Sequence, residues 1–399
     1  MLDFTQIARQ IHDYTRQQSE AQSLFREALL EAGRRLQTSP VGWEETQKKL
    51  ADAKTSWLLA QWLERPDLVY APDQRPETHT VISADGSQII PDRHDIADCY
   101  VLNIGSIVLH YGENERPSLS TAAQIYGVDE EMLEDAPDGT THFSLRRLSI
   151  RRLLAEYERL AELTNAASAH TPTVALFDGS LILWTLEPED DDFRSKSLGQ
   201  FFRCLSVMKE NGIPVAGYIS NPQSKDVVNS LRVLTCPHND AHCDRHCKYR
   251  MQRQHPQYKK PECSGVERLT DADLFYSLLK PGERSAIFES NSKIILNEYR
   301  PEFKTRFFYL HTGAEIARIE VPAWVTEDKT LLALTHTLIY DQARKGGGYP
   351  VALAEAHELA IIRGAERNAF FQLLERNLQR NHLPINGTQK SLAKKARRV

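Results

Sequence analysis

Apolar residues recur at helical spacing near the start of the chain: Phe4, Ile7, Ile11 and Tyr14, then Leu24, Leu29, Leu30 and Leu36. That spacing lines one face of a helix. Thr38-Ser39-Pro40 interrupts the stripe, and residues 43–64 resume it through Leu50, Trp57, Leu58, Leu59 and Trp62. Residues 1–65 thus predict a helical hairpin, an N-terminal arm that covers the core or makes an oligomer contact. Residues 66–80, with three prolines and several charges, read as a linker.

From Val81 the texture changes. VISADGSQII, CYVLNIGSIVLHYG and TVALFDGSLILWTLE are β-rich, nearly continuous apolar runs with glycine-containing turns. Between the second and third, residues 145–163 form a strongly periodic helix. Residues 193–210 and 224–234 read as helices flanking the buried strand IPVAGYIS. Residues 304–310 and 315–319 predict a hairpin around His311-Thr312-Gly313. Helices over 328–343 and 350–379 follow, separated by Lys345-Gly346-Gly347-Gly348-Tyr349. Strands, a helix, more strands and mixed βα units imply an α/β fold, one mixed sheet flanked by helices.

Composition adds exclusions. Among 399 residues, 41% are apolar and 26% charged, enough to bury a core. No apolar run is long enough to span a bilayer, and the first residues lack the continuous apolar stretch of a secretory signal. Six cysteines without a signal fit a reducing compartment, so the expectation is a cytoplasmic protein with no membrane association. Cys99 and Cys204, in apolar surroundings, read as buried and inert. The net charge of −5 gives no hint of a nucleic-acid partner. Charge is uneven, however. Residues 376–399 hold seven Lys or Arg and no acid, either a solvated tail or a contact to phosphates. The acidic run 187–192 reads as a solvated turn.

Two segments share a layout, Asp85-Gly86-Ser87 and Asp178-Gly179-Ser180, each placing an Asp between apolar runs. Asp-Gly is a common hairpin signal. The alternative is that both carboxylates project from strand ends into one cleft, as Mg²⁺ or Mn²⁺ requires of its oxygen ligands. Near the chain's end, Tyr349-Pro350 opens a helix carrying His357 about two turns along. His357 is then either a surface residue among Glu355 and Glu358 or a second group facing that cleft.

These two Asp-Gly-Ser segments and the final Tyr-Pro…Ala-His-Glu helix resemble the NurA nucleases. The resemblance runs over roughly residues 81–378, including the stretch 282–322. It implies a ribonuclease-H-like core over 81–380; the residues themselves mark a Cys/His-rich basic insertion at 236–263 within it, outside what the resemblance implies, and a basic tail at 381–399. It implies a DNA end-processing nuclease, a 5′–3′ exonuclease, a single-strand endonuclease or both. It also implies Mn²⁺ or Mg²⁺, a homodimer and a HerA-type hexameric translocase as partner, in break repair or anti-phage defence. By the same resemblance Asp85 and Asp178 match the family's metal-binding aspartates, and Tyr349 and His357 its C-terminal active-site pair. The family's glutamate falls on the helix before the second Asp-Gly-Ser. Glu156 is the preferred match, with Glu158 and Glu162 as neighbours. Ser87 and Ser180 read as turn-holding residues, since no nucleophile elbow surrounds either.

The insertion is a separate feature. Cys236, Cys243, Cys247 and Cys263 follow the spacing C-x6-C-x3-C-x15-C, with His238, His242, His246 and His255 interspersed. Thiolates with imidazoles suit a structural Zn²⁺ or an iron–sulfur cluster, yet the paired C-x2-C knuckles of zinc ribbons are missing, so a loop without metal stays open. Arg250, Arg253, Lys259 and Lys260 make the same stretch either an exposed basic loop or a DNA-contacting finger. Two competing functions remain: an inactive nucleic-acid-binding scaffold, and a nuclease acting on RNA.

Overall fold

A computed structural model of the chain describes residues 4–90, 99–112, 114–135, 140–167, 171–247 and 261–383. It divides into two units. One comprises Met1–Gln74, Gly179–Ile182 and Gly217–Gly348, and the other Arg75–Asp178, Leu183–Ala216 and Tyr349–Val399.

The second unit is built on the β-rich runs. His79–Ile89 pairs antiparallel along its full length with Cys99–Tyr111, and that strand pairs antiparallel with Ser118–Gly127. Thr173–Asp178 lies parallel to the other edge of the first strand, in register from Thr80↔Thr173 to Ser83↔Leu176. Val81, Ile82, Val174, Ala175 and Leu176 have no exposed surface, as expected of strands covered on both faces. Helix Leu145–Ala166 is capped by Ser144, whose side chain accepts from Arg147 N, and contributes Leu148, Leu154, Tyr157 and Leu160 to the core. An antiparallel meander, a helix, and then a strand parallel to the first is the ribonuclease-H-like arrangement.

Four expectations for this unit are corrected. The first Asp-Gly-Ser makes neither a hairpin nor a strand end, because His79–Ile89 runs straight through it and Gly86 has no positive φ. Only the second is a turn, where Gly179 at φ 139° ends the strand; the apolar residues beyond it enter a 3-10 turn, Trp184–Leu186, instead of a strand. The helix expected over 350–379 is two, Val351–Ala360 and Gly364–Arg380. Ile361 turns extended, and Arg363 N then donates to Glu366 to start the second helix. The acidic run is not simply solvated either. Glu189 is buried against Arg147 Nε at 2.8 Å and also pairs with Arg146, while Asp190 caps helix Asp191–Glu210 by accepting from Phe193 N.

In the first unit, helix Phe4–Thr38 buries Ala28, Ala32 and Leu36, one residue per turn, in a core with Trp62, Leu231, Phe275, Phe288 and Phe307. Phe4, Ile11 and Tyr14 of the expected stripe are exposed. The second helix stops at Ala51, short of the expected Glu64; Ala60–Trp62 is instead a strand paired with Phe288–Ser290. Trp57 to Trp62 carries apolar residues that satisfy either period, and ladder pairing decides for the strand. The expected linker includes Val69–Tyr70, paired with Arg284–Ser285. The hairpin Thr305–His311 and Ile316–Pro322 forms as expected. Its buried Arg318 bridges Asp226 at 2.9 Å and Glu320 at 2.8 Å, and Glu320 accepts from Ser180 Oγ and Leu181 N, which ties Gly179–Ile182 into this unit.

Buried His336 of the same unit donates from Nε2 to Gly282 O at 2.8 Å, and burial, helped by nearby Arg284, pushes its pKa down to about 4. The unfolded chain takes up a proton near pH 6.5, whereas the folded chain does so only near pH 4. Stability present above pH 6.5 should therefore be lost as the pH falls toward 4, by about 3 kcal/mol in all. Denaturant midpoints compared at pH 7 and pH 4.5 should converge for His336→Asn relative to the parent chain.

Candidate functional site

The strand carrying Asp85 sets the geometry. Asp85 lies opposite Gly105 in the antiparallel ladder, and the parallel register with Thr173–Asp178, extended two residues, brings it beside Asp178. Helix Val351–Ala360 packs across this region because residue 105 is glycine. A Cβ there would lie 2.5 Å from Ala360 N, 2.6 Å from Ala356 O and 2.7 Å from Leu359 C. The helix's end is held by Asn103, whose side-chain amide donates to Ala360 O at 2.8 Å, and by the Ser87 hydroxyl donating to the same oxygen. His357, one turn earlier, bonds Asp85 Oδ2 through Nδ1 at 2.7 Å; its ring is 59% exposed and the Asp85 side chain 17%.

Asp178 stands exposed at its strand end. Partial desolvation and the Asp85 charge hold its carboxyl above the usual range, against a hydrogen bond from the Tyr349 side chain and the pull of His357. Glu156, from helix Leu145–Ala166, is 4% exposed. Burial pushes its pKa up to about 8; Arg152 opposes the shift, and the charges of Asp85 and Asp178 add to it. Glu156 Oε1 has no hydrogen-bond partner, and Arg152 Nε stands 3.7 Å from it, too far for one. The other acids of that helix are engaged elsewhere: Glu158 accepts from Gln200 at 2.6 Å and Glu162 from Arg159 at 3.0 Å.

Asp85, Glu156, Asp178, Tyr349 and His357 thus belong to one unit and interact there. Sequence reading missed four supporting residues. Gly86 leaves room for Glu156, since a Cβ there would sit 2.5 Å from Glu156 Oε1. Arg152 Nη1 donates to Gly86 O at 2.8 Å, and Asn103 and Gly105 seat the His357 helix. No motif marks them, because each acts through a neighbour far along the chain.

The cysteine cluster lies in the other unit. Cys236, Cys243, Cys247 and Cys263 line one cavity of about 20 Å³ together with His242, His246, Trp57 and Arg232. Burial and the three neighbouring thiols push the Cys243 thiol up to about 11. Buried Cys204, elsewhere, has its thiol pushed up to about 12, and Cys99 is half-buried. Among the described residues no three His, Cys, Asp or Glu side chains already stand in metal-binding geometry, at either place. Arg250, Arg253, Lys259 and Lys260, and residues 384–399 of the basic tail, lie outside the described residues.

Residues 79–362, more than half of the chain, match the NurA domain. The chain belongs to the NurA family. The crystal structure of the NurA nuclease from Sulfolobus solfataricus is similar in fold, with a TM-score of 0.50 and 12% identity over 96% of this chain and 98% of that one. The Argonaute of Aquifex aeolicus matches at a TM-score of 0.28 and 10% identity over 72% of this chain and 29% of that one, too weak a likeness to bear on the fold. No curated protein sequence matches the chain. Among the described residues no helix is long and apolar enough to cross a membrane.

Proposed function

We propose that this NurA-family chain is a divalent-metal-dependent DNA nuclease that processes ends, working as a homodimer with a HerA-type translocase in break repair or in defence against foreign DNA. The observation that carries the reading is the carboxylate cluster of Asp85, Asp178 and Glu156, in which the Asp85 and Asp178 charges disfavour ionisation of Glu156, and that of Asp85 disfavours ionisation of Asp178. A buried carboxylate oxygen without a partner, next to two more carboxylates, is a set of hard oxygen donors short of positive charge. These residues therefore fit Mg²⁺ or Mn²⁺, with Asp85, Asp178 and Glu156 as the groups that would hold it. Such an ion supplies Lewis-acid stabilisation of charge on a phosphate oxygen.

The remaining roles fall to the neighbouring side chains. Asp85 accepts at His357 Nδ1, which fixes the ring and leaves Nε2 of the exposed imidazole to take a proton from an incoming water. The hydrogen bond from Tyr349 orients Asp178. Ser87 and Ser180 hold backbone and Glu320 respectively, which removes them as nucleophiles.

Labelled single- and double-stranded DNA and RNA incubated with the purified chain in Mn²⁺, Mg²⁺ or EDTA test the reading. Cleavage of DNA with either ion and none in EDTA is expected. Undiminished cleavage in EDTA would sink the metal assignment. Preferential RNA cleavage would select the RNA-directed alternative, and binding without cleavage, with a HerA-type partner also present, the scaffold.

A further inference from the structure

We infer that Cys236, Cys243, Cys247 and Cys263 form a structural zinc site, separate from the carboxylate cluster and belonging to the other unit. Three stretches of chain bring these thiols to one cavity. Cys236 follows helix Asp226–Leu234, Cys243 and Cys247 flank the short helix Cys243–His246, and Cys263 comes from beyond residue 260. The backbone beneath them is fixed from outside the cluster. Lys54 N donates to Ala241 O at 2.8 Å, Cys243 N donates to Lys54 O at 3.0 Å, and Lys49 Nζ donates to Cys236 O at 2.7 Å.

Four thiols at one cavity already make a complete tetrahedral set, a common environment for zinc. The neighbouring histidines have other work on one ring nitrogen each: His242 Nδ1 accepts from Arg245 N, capping the short helix, and His246 Nε2 is bonded to Asp240 Oδ1 at 3.0 Å. A cavity of about 20 Å³ has room for one water-sized occupant. That size suits a single ion drawing the thiols in.

A second feature points the same way. Arg232 lines the cavity, its guanidinium stacked 3.8 Å over the Trp57 ring, and its buried Nε has no acceptor. A buried N–H donor without a partner is costly. Four thiolates around Zn²⁺ carry net charge −2, which gives this guanidinium both an acceptor and a counter-charge. Zinc there would also join Cys247 to Cys263, the residues on either side of a sequence that carries Arg250, Arg253, Lys259 and Lys260.

The test is elemental analysis of the full chain purified without chelator, beside Cys243→Ser, Cys263→Ser and the double variant Asp85→Ala/Asp178→Ala. About one zinc per chain is expected in the parent and in the aspartate variant, falling about tenfold or more in either serine variant. Replacement of zinc by Co²⁺ in the unmodified chain should give the intense visible bands and thiolate charge transfer of a tetrahedral thiolate site. That spectrum decides the matter even where a serine variant fails to fold. Zinc retained in both serine variants, zinc lost in the aspartate variant, iron with acid-labile sulfide in its place, or a Co²⁺ spectrum of oxygen ligation would each overturn the assignment.

Discussion

Asp85→Asn is expected to lower the single-turnover rate of DNA cleavage by about 10³-fold while leaving the melting temperature in EDTA unchanged or slightly raised. Asn keeps the shape of Asp and can still accept from His357 Nδ1, so the hydrogen bond at 2.7 Å need not be lost. What disappears is the Asp85 charge, which raises the pKa values of Glu156 and Asp178. Without an ion, that charge is a liability to the fold; with one, it is the attraction that holds it. A purely structural Asp85 predicts the reverse, activity within tenfold of the parent for Asn and a lowered melting temperature for Ala. Measuring both variants in cleavage and in melting separates the two.

Gly105→Ala should unseat helix Val351–Ala360 with a single methyl group. The added carbon would meet three backbone atoms of helix Val351–Ala360 at 2.5 to 2.7 Å, and backbone cannot swing aside as a side-chain tip can. The helix must lift, at a cost of about 1–3 kcal/mol. His357 rides on that helix, so its bond to Asp85 opens, and a displacement near 1 Å can cost about 10²-fold in rate. Gly127→Ala is the control, because nothing lies within 4 Å of a Cβ there. Equal activity of the two variants would show that the seat at Gly105 is irrelevant to the chemistry.

The apolar periods marked His79–Ile89, Cys99–Tyr111 and Thr173–Asp178, whose cores are buried, and the strongly periodic helix Leu145–Ala166; Ser118–Gly127 went unmarked because it is mostly exposed and polar. Asp85, Asp178, Tyr349 and His357 stood out because each sits in a short segment with its own signature. What failed was local. Asp85-Gly86 has the composition of a turn, yet Gly86 is there to admit Glu156 from the opposite face, a demand set 70 residues away. The break after Ala360 was equally hidden, since Ala-Ile-Ile-Arg contains no helix breaker. The carbonyl of Ala360 is instead captured by Ser87 and Asn103. The strand at Ala60–Trp62 was lost in an apolar run that fits a helical stripe as well as a ladder.

That captured carbonyl also sets how the site fluctuates. Ala360 is the pinned end of its helix, so thermal rocking turns about that point as a lever turns about its fulcrum. At 1.5 Å of rise per residue, His357 sits roughly 4.5 Å from the fulcrum and Pro350 roughly 15 Å. The same small tilt therefore carries the Tyr349 end about three times as far as His357. The imidazole is held near its aspartate, and any widening of the site falls where the Tyr349 hydrogen bond to Asp178 has to give.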